Sequence, residues 1–363
     1  MRVDRIEASV HRLPVGKEMT DAIHCLNAIE VIVARVFTDG GAVGTGWTYT
    51  LGTGGTALRA LIADSLAPLL VGEDPDNIER LWEKMWRGLH AIGSSGATSL
   101  AISAVDIALW DLLGKARGLP LFRLLGGHRD KVPVYGSGIN LYFSMDDLIA
   151  QTKGFLAQNV HGVKIKVGRP DVGEDLERLA AVREVIGPHM PLMVDANQGW
   201  SVGEAINRAR AMEPFSPFWI EEPVLADDHA GYQVLARSIS IPIATGETHY
   251  TRFQFADLFH RGAVAFVQAD VNRVGGITEW MKVAHMAQGF NLPMCPHGLE
   301  EIHLHLTCAV SNGYIVEHVV AGERKWGHVA NPIELVDRYL VPRETPGHGV
   351  ELDEESLARF KMA

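Results

Sequence analysis

Eight short apolar runs recur between residues 132 and 316, separated by amphipathic stretches. The first third of the chain does not share this repeat, and no Gly-rich phosphate loop follows the early runs. Together these features predict an α/β protein: a TIM barrel of parallel strands wrapped by helices, preceded by an α+β capping domain. A doubly wound sheet is disfavoured because it more often stops near about six strands.

In chain order, strand-like segments at 3–13 and 30–38 precede helical patterns at 56–70 and 77–90. A long helix follows over 98–117, rich in good helix formers and stopped by Gly118 and Pro120. The Gly-rich stretches 16–24 and 52–55 read as loops. The barrel runs are 132–135, 163–167, 191–194, 218–220, 241–244, 266–268, 292–295 and 314–316. Beyond the eighth run the chain is too polar and too punctuated by Pro and Gly for another repeat, so it is expected to pack back on the first domain. The predicted organisation is a capping domain over 1–125, a catalytic barrel over 126–320 and a closing segment over 321–363.

Composition narrows the function classes. With a formal net charge of −11 and no clustered Lys and Arg, the chain is not expected to bind nucleic acid or an anionic membrane, so any bound anion must be met by local cations. The cysteines, Cys25, Cys295 and Cys308, are odd in number and lack CxxC spacing, which argues against a disulfide framework or a zinc ribbon. Charges at Arg2, Asp4, Arg5 and Glu7 stand where a signal peptide needs an apolar run. No uninterrupted apolar stretch of transmembrane length is expected either, so the reading is a cytoplasmic protein.

The end of each barrel run from the second to the eighth carries an ionisable group: Lys164 and Lys166, Asp195, Glu221, Glu247, Asp270, His297 and Glu317. A single carboxylate there would be read as a helix cap, but charged groups on seven successive strands converge on the rim where barrel active sites lie. Asp195, Glu221 and Glu247 end three neighbouring strands, so their hard oxygens suit one Mg²⁺ better than Ca²⁺ or Zn²⁺. Lys164 and Lys166 are two apart on a strand and face the barrel interior together, where mutual repulsion is expected to lower at least one of them towards a neutral base. Asp270 and His297 end adjacent strands, so the carboxylate can orient and charge the imidazole. Glu317 could hold a substrate oxygen if protonated in this acidic rim, and Asn197 is a further polar contact. His303 and His305 fall in a predicted helix and are read as packing, while His249 could equally reach the pocket or make a loop contact.

The motifs KIKVG at 164–168, VDANQGW at 194–200, WIEEP at 219–223, ATGE at 244–247, NRVGGITE at 272–279 and VEH at 316–318 resemble the enolase superfamily. Within it the chain is similar to the mandelate racemase subgroup, and most of all to acid-sugar dehydratases such as the galactarate/talarate dehydratases. The resemblance covers nearly the whole chain and implies a (β/α)7β barrel whose cap is completed by the C-terminal segment. It also implies Asp195, Glu221 and Glu247 as Mg²⁺ ligands, Lys166 as the base for an S-configured carbon, and Lys164 as the partner of the substrate carboxylate. His297, assisted by Asp270, would serve the opposite face, Glu317 would donate to the carboxylate oxygen that gains charge, and the protein would be a homo-oligomer. The Lys or His base with a Mg²⁺-stabilised enediolate is an established superfamily pattern.

The expected reaction is dehydration of an aldonate or aldarate through loss of the proton alpha to its carboxylate, giving a 2-keto-3-deoxy acid. The same opposed bases would support racemisation or epimerisation as an alternative. Lys17, Thr20, Asp21, His24, Thr48, Tyr49, Thr50 and Thr53, in the segments expected to set specificity, favour a polyhydroxy substrate over an aryl one. A non-catalytic barrel does not account for the charged rim, and metal-assisted hydrolysis is disfavoured because no histidine joins the carboxylate triad.

Overall fold

The computed structural model describes residues 1–319 and 327–362, and for 16–19 the backbone alone. The start of the expected closing segment, 321–326, and the side chain of Lys17 lie outside the described residues.

The cap is built on an antiparallel sheet of β1 (Val3–Thr20), β2 (Cys25–Thr38) and β3 (Val43–Thr50), in that spatial order. The loop reading of the first Gly-rich stretch is corrected by the structure. Residues 16–20 are not loop but the end of β1, where pairing resumes at Met19 with Leu26 after a register shift. Thr48, Tyr49 and Thr50 lie in β3, which its glycines hide from a propensity reading. Those glycines allow close packing on the helix Ala97–Arg117: a Cβ at Gly44 would stand 2.0 Å from the Ala108 carbonyl oxygen, and one at Gly46 would stand 2.2 Å from that of Ala104.

The same helix, 21 residues long, has the length and mean composition to cross a membrane, although Asp106 and Asp111 interrupt its apolar run. It is the central helix of the cap, largely buried, and its buried Asp106 and Asp111 accept hydrogen bonds from Thr278 and Thr45.

The barrel strands are β4 (Val132–Ser137), β5 (Gly162–Lys166), β6 (Leu192–Asp195), β7 (Trp219–Glu221), β8 (Ile243–Thr245), β9 (Phe266–Val267) and β10 (Val316–Val319). Each is parallel to its neighbour, and β10 closes the ring on β4. The seventh predicted run makes only isolated bridges, from Met294 to Val267 and to Gly313. Pro293 and Pro296 flank that position, and neither can donate to a ladder. A hairpin of β11 (Leu335–Val336) and β12 (Tyr339–Leu340) adds antiparallel to β4. Further on, Met362 N–H donates to the Val10 carbonyl and Arg12 N–H to that of Phe360, tying the C-terminal residues to β1.

Period-two alternation positions the site. Val163, Ile165, Leu192, Val194 and Ile220 belong to the main hydrophobic core, whereas Tyr135, Met193, Trp219 and Cys295 form a separate cluster that floors the barrel. Tyr135 and Trp219 meet edge to face at 5.3 Å, and the Lys164 Nζ stands 5.4 Å from the Tyr135 ring centre. The charged residues lie one pleat further along these strands.

Candidate active site

β6 and β7 end on Asp195 and Glu221, and Glu247 follows β8 by two residues. Ligand oxygens of the three come within 4.8 Å of one another. Asp195 and Glu221 are fully buried, so charge there must be compensated. Burial and the neighbouring Asp195 push Glu221 up to about 8, the crowding of carboxylates that a divalent cation relieves. Burial would also raise Asp195, but Lys166 and Lys164 outweigh it and hold the group below its ordinary value. Three hard oxygen donors with no sulfur or nitrogen fit magnesium.

Lys164 and Lys166 both point inward, but their environment reverses the expected direction. Lys164 Nζ lies 2.7 Å from Glu221 Oε1, 2.9 Å from Glu317 Oε1 and 3.5 Å from Asp195 Oδ2. Lys166 Nζ lies 2.5 Å from Asp195 Oδ2. Burial would lower both ammonium groups, yet Glu221 and Glu317 around Lys164, and Asp195 beside Lys166, raise them. The expected mutual repulsion is present but smaller than the attraction of the carboxylates.

The direction expected for Glu317 is also reversed. Burial opposes its charge, but Lys164 and His297 hold it well below the usual carboxylate range. Its Oε2 accepts the Gly298 N–H at 2.8 Å.

Asp270 begins the short helix Val271–Val274, where it accepts from the backbone N–H groups of Asn272 and Arg273. Its Oδ2 accepts from His297 Nδ1 at 3.0 Å, which leaves Nε2 turned towards Glu247 at 3.5 Å. Burial would lower the imidazole, but Glu247 and Asp270 raise it to about 10. Asp270 Oδ2 also accepts the hydroxyl of Tyr49, a cap residue, at 3.2 Å.

Lys166, His297, Glu247, Glu317 and Asn197 line one cavity of about 290 Å³. Asn197 is 5% exposed, and its Oδ1 has no partner among the described residues, so it can meet a ligand. Of the cap residues expected to set specificity, Asp21, His24 and Tyr49 line the cavity. Thr20, Thr48, Thr50 and Thr53 do not, and Ile23, Leu26, Ile29 and Leu51 supply an apolar wall instead. His249 packs among the rings of His229, Tyr232 and Phe255 outside the cavity lining. His303 accepts from Val271 N–H and donates to the Gly298 carbonyl, and His305 bonds Phe122 N–H and the His348 carbonyl, so both are structural.

Several cavity residues escape a reading of strand ends. Glu222 is fully buried, burial and the neighbouring Glu247 push its carboxyl well above the usual carboxylate range, and Gln198 donates to it at 3.0 Å. Asn197, Gln198 and Glu222 all have positive φ, at 39°, 63° and 36°. Such backbone strain clusters at functional sites. Arg273, three residues past Asp270, also reaches the cavity.

Comparison with known proteins decides the family. Residues 6–126 match the mandelate racemase/muconate lactonizing enzyme N-terminal domain, and residues 147–356 match the enolase C-terminal domain-like model. The chain belongs to the mandelate racemase group of the enolase superfamily. Among its family relatives, the 3,6-anhydro-α-L-galactonate cycloisomerase of Streptomyces coelicolor is 38% identical, over 99% of each chain. The L-talarate/galactarate dehydratase of Salmonella typhimurium is also 38% identical, over 98% of this chain and 90% of the relative. The crystal structure of an L-talarate dehydratase from Polaromonas, complexed with Mg and L-glucarate, superposes with a TM-score of 0.90 at 35% identity, covering 100% of this chain and 98% of the other.

Proposed function

We propose that this family member is a magnesium-dependent acid-sugar dehydratase. The observation that carries the reading is one cavity lined by Lys166, His297 and Glu247, with the rest of the carboxylate triad beside it. Acid-sugar dehydratases among the relatives, one of them solved with magnesium and a sugar acid, support it. Asp195, Glu221 and Glu247 would hold a magnesium ion, which supplies Lewis-acid stabilisation of charge on the substrate carboxylate.

Lys166 or His297, in its neutral form, takes the proton from the carbon alpha to that carboxylate, and the electron pair moves into an enediolate; Asp195 and Glu247, which hold these two groups charged, are triad members that a magnesium ion would engage instead. Lys164 and Asn197 orient the substrate's oxygens. The enediolate collapses with loss of the β-hydroxyl, which leaves as water with a proton delivered by the other base. The resulting enol tautomerises to a 2-keto-3-deoxy acid. Asp270 keeps the His297 Nδ1 protonated, so Nε2 is the atom that exchanges the proton.

A second reading has its own support in the cycloisomerase relative. In a 3,6-anhydro-galactonate the carbon β to the carboxylate bears the ring oxygen, so the same enediolate would expel that oxygen in place of hydroxide. Racemisation would follow if neither oxygen left. We also propose the capping domain, barrel and closing segment with the boundaries given above, a cytoplasmic location and a homo-oligomeric assembly.

The test is incubation with Mg²⁺ in D₂O and a panel of mono- and diacid sugars and their 3,6-anhydro forms, assaying 2-keto acid and alpha-deuterium together. Keto acid from an open-chain acid supports dehydration, and keto acid from an anhydro acid alone assigns ring opening. Deuterium without keto acid assigns epimerisation, and neither product across the panel rejects the acid-sugar reading.

A further inference from the structure

Lys166 stands where its strand loses one neighbour. The pairing of β4 with β5 ends at Ser137 and Lys164, while on the other side β6 still pairs with Lys166 through Asp195. Two side chains continue the edge that β4 leaves. Asn140, just past β4, accepts the Lys166 N–H on its Oδ1 at 2.9 Å. Arg178, on the helix Val172–Ile186, donates to the Lys166 carbonyl at 3.2 Å, and the same nitrogen donates to the Asn140 carbonyl at 2.9 Å. Its other terminal nitrogen donates to the Phe143 carbonyl at 3.4 Å. The Asn140 Nδ2 donates to Gln151, on the helix Met145–Ala157, at 2.7 Å. Both backbone groups of the lysine are therefore gripped by side chains that are themselves fixed.

Asn140 is fully buried, Arg178 is 4% exposed, and neither lines the cavity, so neither touches a ligand there. A buried backbone N–H or C=O needs a partner in any protein. Here the residue so served carries its ammonium on a flexible four-carbon stem. Asp195 steadies the Lys166 Nζ at 2.5 Å, but that carboxylate belongs to the triad that a magnesium ion would engage. Once that carboxylate is shared, the strand end sets the reach of Nζ, and a displacement of about 1 Å at a reacting group costs about 10²-fold in rate. His297 is anchored differently, through its ring by Asp270.

We propose that Asn140, gripped by Arg178, is the positioning residue for Lys166: the two side chains extend the edge of β5 past the end of β4 and fix the base against the alpha carbon of the substrate. This rests on the reading of Lys166 as a base but not on which bond breaks after proton abstraction. Arginine suits the task because its planar fork reaches several carbonyl oxygens at once, which a lysine cannot do.

The experiment compares the Mg²⁺-loaded wild type with Asn140→Leu, Asn140→Asp and Arg178→Met in two readouts. The first is deuterium uptake from D₂O at the alpha carbon of sugar acids of each configuration there, with kcat and KM. Asn140→Leu should slow uptake through the Lys166 face about ten- to a hundredfold, in kcat and with KM within about twofold. Uptake through the His297 face should stay within about threefold, which also shows that the variant is folded. Asn140→Asp, which keeps an acceptor for the Lys166 N–H, should recover most of the loss, and Arg178→Met should slow the same face less than Asn140→Leu. The second readout is backbone amide exchange of the peptide that carries Lys166, expected to quicken in Asn140→Leu and Arg178→Met and to stay slow in Asn140→Asp. A Lys166 face that is not slowed, or an equal loss through both faces, overturns the proposal. If the wild type deuterates no acid through the Lys166 face, the reading of Lys166 as a base falls by itself, and amide exchange decides the clamp. Quickening confined to the end of β5 then supports it, and exchange that is unchanged, or quickened over the whole barrel, overturns it.

Discussion

The two bases of the site are held in different ways. Lys166 is fixed within the barrel: it sits on β5 and is held by Asp195 on the adjacent β6, and among the described residues the cap reaches it only through the charge of Asp21. His297 lies in a loop after the weakest position of the barrel, and its partner Asp270 is met by Tyr49 from the cap. The loop that carries Asp270 is in turn anchored at Thr278, which donates its N–H and hydroxyl to Asp106 of the cap helix. The lysine side is thus tied to the metal triad, and the histidine side to the joint between cap and barrel. A substitution at Tyr49 should therefore reach the histidine and not the lysine.

The largest expected effect falls on the element both sides share. Removing the metal with a chelator, or substituting Glu221→Gln, should drop turnover to background, and Mg²⁺ should restore the chelated wild type but not the variant. Next are Lys166→Met and His297→Asn, each expected to lower kcat by about 10²- to 10⁴-fold. Each should abolish alpha-deuterium exchange on its own face of the substrate carbon. Wild-type-like turnover in both variants would reject the assignment of bases.

Tyr49→Phe sharpens the comparison further. The expected loss is about two- to tenfold, in exchange through the His297 face only. An equal loss through the Lys166 face would mean that the cap supports both bases alike.

The smallest effect is on stability. Burial raises Asp106 from 3.8 to about 7, so the folded state binds its proton more tightly than the unfolded chain does. The stability this contributes is fully present below about pH 4 and is lost as pH rises through about 7. Wild type should therefore gain a few degrees in Tm over Asp106→Asn as pH is lowered from about 8 to about 5. A gap that stays constant would place the titration of Asp106 elsewhere.

The deep features of this protein were legible in its sequence because they follow from period. Strands alternate, so Lys164 and Lys166 must share a face, and Asp195 and Glu221 must end apolar runs inside the ring. β3 and the end of β1 were obscured because their glycines look like loop, and their strand character comes from pairing and from the helix packed on them. Arg273, Glu222 and Tyr49 lie off the strand-end pattern, and their place at the cavity depends on a short helix, a strained turn and a strand from another part of the chain.

The direction in which the lysines and Glu317 titrate was decided only in three dimensions. Spacing showed two ammonium groups side by side, and it also listed the acids, but not how closely each would approach. Coulomb energy depends on those distances and on burial, neither of which is written in residue order. Local pattern determined which residues reach the rim; tertiary packing determined which of them pair and which stay charged.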